Sequence, residues 1–379
     1  MELTYSKENI ANVLYYISFS IYIGYQFLIS TTIEFNNTSS LKLIIYLLCT
    51  SLILFKMMFF DKLTVSLLTY GTLFIIVTIF ASYVAKNNLY ILAMFMIGAY
   101  NVPIRGIIRI YVIEMTVLLL VTGLLSYKGT IPNYTYLRGL KTRNSFGTKY
   151  PTDFAAHVFY VLLGYIYLIK GKVNLFVFSI YMILGYTVLK LTDARLDAIL
   201  IFVIGIIFYL YNLLDKEYIN PIIDKTYLAP LLGAVIANTI TYYYKSSPIL
   251  VTLDKLLSGR LYYGNMAFNE YPVRLFGNYI EQHGWGGTGR LDMLFKYFFI
   301  DSSFVNSLLS FGIVFTVYLI ILLTVSLKKV DIEYKKIFLL CFLCVTMSSM
   351  IDQHFLELFY NPFILIGFSI FNKKEKLND

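Results

Sequence analysis

Long apolar runs recur from near the first residue to residue 371, separated by short polar stretches. A bilayer core takes about 20 apolar residues to cross as a helix, and a backbone inside it must satisfy its own hydrogen bonds. Repeated runs of that length leave one broad class of fold, a bundle of membrane-crossing helices. The candidate segments are 10–30, 41–60, 63–84, 88–102, 107–126, 153–170, 173–190, 194–214, 226–243, 303–326, 335–351 and 354–371. Of 379 residues only 14% are charged and 58% are hydrophobic, where a soluble domain carries about 25% charged residues. The sequence therefore predicts an all-α polytopic membrane protein of about twelve transmembrane helices, a single membrane domain over 1–379. The segment 88–102 is the weakest, because its length as a helix is about 22 Å against a core of about 30 Å. The first run lacks the small-residue cleavage site of a secretory signal and is read as a retained span.

The net charge of +9 is spread along the loops, with no nucleic-acid motif, so nucleic acid is not an expected partner. The densest basic clusters are Lys328, Lys329, Lys335 and Lys336, and Lys373, Lys374 and Lys376. The positive-inside rule puts both in the cytoplasm. Counting spans back from them places loops 127–152 and 244–302 outside. If 88–102 spans, the N-terminus is cytoplasmic, and Lys56/Lys62, Arg105/Arg109 and Lys170/Lys172 also fall inside.

The two outside loops carry cations against that rule: Lys128, Arg138, Lys141, Arg143 and Lys149 in one; Lys245, Lys255, Arg260, Arg274, Arg290 and Lys296 in the other. Loop 244–302 is far longer than an ordinary connection and rich in Tyr, Phe, Leu and Gly, which predicts short helices at the membrane surface.

Chemistry concentrates in these loops. Three cysteines give no disulfide framework, and Cys341 and Cys344 lie in an apolar run, as buried thiols do. His157, His283 and His354 have no second ligand at zinc spacing, so neither a structural metal nor another cofactor is expected. "IDQHFLELF", with Asp352, His354 and Glu357, reads as a polar turn between spans. "GWGGTGR" (284–290) lacks the Lys-Ser/Thr ending of a phosphate-binding loop and reads as a tight turn beside a site.

Arg143, Arg195, Arg260 and Arg274 all fall at the outer ends of spans or in the outer loops. Arginine grips phosphate bidentately, so four on one face point to an anionic ligand at the membrane surface. Snorkelling to lipid headgroups is the simpler role for any one of them. Asp301 and Asp153 stand at the mouths of spans, with Glu281 and His283 nearby in sequence. A carboxylate or imidazole there can deprotonate a hydroxyl, or an acid can simply cap a helix. Tyr262, Tyr263, Tyr271 and Tyr279 suit sugar stacking as well as interface anchoring.

These elements resemble a known family. "RNSFGTKYPTDFAAH" resembles the first arginine element of bacterial polysaccharide repeat-unit polymerases of the Wzy type and of the related O-antigen ligases. "DARLDAIL" resembles their second. "LDKLLSGRLYYGNMAFNEYPVRLFG" is similar to the Ser-Gly-Arg…Phe-Gly stretch of Gram-positive capsule and exopolysaccharide polymerases, and "GWGG…YFFIDSSFVNSLLSFGIVF" to their closing element. The elements stand in family order over roughly 143–315.

The resemblance implies a metal-independent glycosyltransferase of the membrane-embedded C type (GT-C) in a bacterial cytoplasmic membrane. It would join undecaprenyl-diphosphate-linked oligosaccharides at the outer face, moving the growing glycan to the non-reducing end of the next unit. Arg195 and Arg260, then Arg143 and Arg274, would hold the diphosphate; Asp301, or else His283, would be the base. The related ligases place a His where this chain has Asp301, which leaves the base open between the two. Such polymerases usually work with a flippase and a chain-length regulator. A ligase acting on the same lipid, and a flippase or transporter, remain the alternatives. A transporter would keep its polar groups inside spans, where Glu114 is one of few acids.

Overall fold

The computed structural model describes residues 2–372, apart from 36, 139 and 285–296. The chain is helical almost throughout. Five helices, α1 (Glu2–Ser30), α2 (Thr38–Phe59), α3 (Val65–Ala85), α4 (Tyr90–Gly98) and α5 (Ile104–Tyr127), precede an antiparallel hairpin of β1 (Thr135–Arg138) and β2 (Lys141–Asn144). Then come α6 (Pro151–Leu168), α7 (Leu175–Thr192), α8 (Arg195–Leu213), α9 (Lys216–Asp224) and α10 (Ala229–Tyr242). The short helices α11 (Pro248–Leu256) and α12 (Arg260–Glu270) lie within the long loop 244–302. The chain ends with α13 (Ser303–Asn306), α14 (Gly312–Lys329), α15 (Lys335–Ser349) and a 3₁₀ helix over Pro362–Phe371. The short β-hairpin lies in loop 127–152, and the mostly helical chain fits the all-α membrane expectation.

Among the described residues, seven helices are long and apolar enough to cross a membrane: Lys7–Ser30, Thr38–Phe59, Val65–Ala85, Ile104–Tyr127, Leu175–Thr192, Arg195–Leu213 and Ser303–Lys329. The other expected segments are shorter or less apolar, and two of them are packed inside the bundle. In α4, Ile91, Leu92, Ala93, Phe95, Met96, Ile97 and Gly98 are all buried. In α15 almost every residue from Ile337 to Ser349 is buried. A helix enclosed by other helices does not have to match the lipid thickness, because protein rather than water or lipid surrounds its ends. Cys341 and Cys344 are buried thiols, as expected.

Contacts sort the connections into two ends. At one end the Lys56 ammonium, fully buried, meets Asp61 at 2.7 Å and caps the Gly98 and Tyr100 carbonyls at 2.8 and 2.7 Å. Arg105 pairs with Glu333 at 2.8 Å there, and Asn101 N–H donates to Asn372. At the other end Lys149 donates to the Ile29 carbonyl, the hairpin docks on the end of α7, and residues 302–303 meet residues 352–355. The candidate site lies at this second end.

One span is interrupted. Between α13 and α14 the helix widens into a π turn over Ser307–Phe311, then passes Gly312 at φ 87. The loop segment 272–278 lies along the break. Asn278 donates from its backbone to the Ser310 carbonyl at 3.2 Å and from its side chain to the Leu309 carbonyl at 2.8 Å. Ile313 and Val314 N–H donate to the carbonyls of Arg274 and Leu275 at 3.0 and 3.1 Å. Gly277 (φ 83) and Gly312 are backbone to backbone here, so a Cβ on either would overlap the other strand. Backbone groups freed inside an apolar span have to find partners, and this loop supplies them.

Candidate active site

Two charged clusters meet at the first turn of α8. The first surrounds Asp193, which ends α7 in the left-handed region at φ 46 and is 3% exposed. Its carboxylate faces Arg138 at 3.2 Å, Arg195 at 3.5 Å and Lys141 at 3.7 Å. Burial pushes this carboxyl up, but Arg195, Arg138 and Lys141 outweigh it and hold it below its ordinary value. Arg143 joins from β2: its Nε donates to the Thr192 carbonyl at 2.8 Å, while its Nη2 is buried without a hydrogen-bond partner. Burial, together with Arg138 and Arg195, lowers the Arg143 pKa to about 10. Three cations thus face one carboxylate, with Arg143 as a fourth in the group.

The second cluster surrounds Arg260, the first residue of α12. Gly259, at φ 86, turns the chain into that helix, and Asp254 fastens it by accepting the Leu261 N–H at 2.8 Å. Arg260 Nε lies 3.6 Å from Asp301 and Nη1 4.0 Å from Asp352, and Nη1 also donates to the Ile351 carbonyl. Asp301 is not a helix cap, because Ser302 accepts the Val305 N–H in that role. Instead burial raises its pKa, Asp352 adds to the rise, and Arg260 opposes it.

The turn after α15 completes this cluster. His354 Nδ1 lies 2.6 Å from Glu357 and Nε2 3.8 Å from Asp352. Burial pulls this imidazole down, but Asp352 and Glu357 outweigh it and raise its pKa to about 9, so the ring is a cation at neutral pH. The ring stacks on Tyr360 at 3.7 Å between centroids, and His157 stacks on the same tyrosine at 3.9 Å. Asp153 of α6 acts electrostatically on His354, and Asp197 of α8 on Arg260. Five carboxylates therefore surround one guanidinium and one imidazolium.

The two clusters share an element. Arg195 opens α8 and faces Asp193, while Asp197, two residues on, faces the Arg260 cluster. A cationic rim and a buried acid–base cluster so placed can hold an anionic leaving group beside a group that takes a proton.

The sequence-derived residues divide accordingly. Arg143 and Arg195 lie in the cationic cluster, and Arg260 and Asp301 in the other. Arg260 is paired with the acids Asp301 and Asp352. Arg274 is exposed; its backbone carbonyl accepts the Ile313 N–H. His283 pairs with Glu281 at 3.6 Å, and its backbone bridges Phe298 three residues before Asp301. The turn at 284–290 lies outside the described residues after Gly284. Among the described residues no group of three or more His, Cys, Asp and Glu is arranged to hold a metal.

Sequence reasoning missed Arg138, Lys141 and Asp193 on one side, and Asp352, His354 and Glu357 on the other. The second set had a signal: three titratable residues within six positions, flanked by apolar runs. No protein-family model, no curated protein and no solved structure matches the chain.

Proposed function

We propose that the protein polymerises lipid-diphosphate-linked oligosaccharides at the outer face of a bacterial cytoplasmic membrane. The observation that carries this reading is the pair of clusters joined by the first turn of α8. In the reaction an acceptor hydroxyl loses its proton to Asp301 and its oxygen bonds to the anomeric carbon. The bond from that carbon to the diphosphate oxygen breaks, and the electron pair leaves with the lipid diphosphate. Charge grows on that leaving group in the transition state, where Arg143, Arg195, Arg138 and Lys141 stabilise it. A partly buried carboxylate with a raised pKa is a competent base near neutral pH. Arg260 keeps Asp301 aimed and limits that rise.

The same reading takes the chain as twelve passes with a GT-C-like arrangement, both loops 127–152 and 244–302 outside. Sorting of the connections into two ends supports it, since Lys56, Tyr100, Arg105, Glu333 and Asn372 meet at one end and both clusters lie at the other.

The test is a size profile of lipid-linked and released glycans from cells with and without the protein. Polymerase activity predicts single repeats accumulating at the outer face in its absence, and a ladder restored on its return. Full-length polymer left on the lipid would indicate a ligase, and repeats trapped at the inner face a flippase; either result rejects the proposal.

A further inference from the structure

The hairpin has anchors on the end of α7 besides the Asp193 carboxylate. Arg138 Nη1 donates to the Asp193 backbone carbonyl at 3.3 Å, Arg143 Nε to the Thr192 carbonyl at 2.8 Å, and Asn144 Nδ2 to the Leu191 carbonyl at 3.5 Å. These bonds tie β1 and β2 to the end of α7 through main-chain acceptors. The carboxylate has another relation to its neighbours: it draws Arg138 and Lys141 from the hairpin and Arg195 from α8 onto a single anion. A phosphate oxygen would attract the same three cations. The buried Arg143 Nη2, without a partner, is a further donor in the same group.

We infer that Asp193 is an internal stand-in for the ligand's phosphate, holding the cations in place when the site is empty and competing with the ligand when it is full. This rests on the polymerase reading for the identity of the ligand, a lipid diphosphate. The competition has a use in turnover. The reacting lipid carries a diphosphate substituted at both ends; the product carries one substituted at one end, with an additional ionisable oxygen. Four uncompensated cations would hold that product more tightly than the substrate, because attraction scales with the product of the charges. One fixed carboxylate among them weakens the hold on both and hastens release of the spent lipid.

Asparagine and glycine both tolerate the left-handed backbone at position 193, and asparagine keeps the side-chain shape, so the charge can be removed without strain. The experiment is isothermal titration of the full-length protein in detergent with inorganic pyrophosphate, for wild type, Asp193→Asn and Asp193→Gly. Loss of one nearby negative charge is expected to tighten binding by about tenfold in both variants. In the polymer assay KM and kcat are expected to fall together, the pattern of slower product release. Equal or weaker binding in both variants would make Asp193 a structural anchor and overturn the inference. Absence of pyrophosphate binding in all three proteins would overturn it as well. The glycan size profile judges the polymerase reading separately, because it depends on polymer formed by the wild type and not on Asp193.

Discussion

Around Asp193, three cations face one carboxylate with Arg143 beside them, and the group remains partly open to solvent, with Arg195 49% exposed. Around Arg260, one guanidinium that is 14% exposed is enclosed by Asp301 and Asp352, with Asp197 within electrostatic reach. The residue type is the same and the roles are opposite. An arginine with spare donors beside other cations is prepared for an anion from outside. An arginine whose donors already face carboxylates orients those carboxylates and makes their burial tolerable. The partners decide the role, and the partners come from distant parts of the chain.

Breaking the Arg260 cluster should have the largest effect. Arg260→Ala leaves Asp301 and Asp352 without their guanidinium, so it is expected to abolish polymer and to destabilise the fold by about 3 kcal/mol. A glycan ladder and a melting curve in detergent would read the two effects. Asp301→Asn separates them: polymer formation should drop by about a hundredfold or more while the protein melts near the wild type. Equal loss of stability in both variants would mean that Asp301 is only a counter-ion.

In the cationic cluster the effects should be smaller and fall mainly on catalysis. Arg195→Ala or Arg143→Gln is expected to slow polymerisation by about tenfold, with little change in melting temperature for the more exposed Arg195. High salt should weaken pyrophosphate binding there, since the rim is open to solvent.

The pH dependence distinguishes the clusters again. His354 has a folded pKa of about 9, above its ordinary value. The stability it contributes is fully present below its unfolded pKa of about 6.5 and is lost as pH rises through the folded value. Wild type should therefore lose melting temperature from about pH 6.5 to 9, and His354→Gln should lack that slope. The smallest effect is expected at Arg274. Its side chain is exposed, and Arg274→Ala should change polymer yield by less than about twofold. A large loss there would extend the cationic site toward α14 and blur the division between the two clusters.

Much of this architecture is visible in the amino-acid order. Apolar runs locate the long helices, and polar groups gather in the connections between them because a bilayer excludes them. Arg143, Arg195, Arg260 and Asp301 stand out for the same reason. Their sorting into two groups was not visible, because it depends on pairings between α12, residue 301 and the turn after α15. Asp352 and His354 were read as a polar turn, since nothing local shows that α15 stops inside the bundle and turns this segment inward. Arg138 and Lys141 lay in what read as loop, and only the hairpin register brings both to Asp193. Helices such as α4 were judged by lipid thickness, although their surroundings are protein.

The break in the span at Ser307–Phe311 carries a consequence for synthesis. The carbonyls of Leu309 and Ser310 depend on Asn278, and the N–H groups of Ile313 and Val314 on residues 274 and 275. All of those partners precede the helix in the chain. The ribosome therefore delivers the strip that closes the break before the helix that contains it, and the groups freed at the break do not have to wait for a later segment. A circular permutant beginning at residue 303 would reverse that order, and its yield would measure how much the nascent protein relies on it.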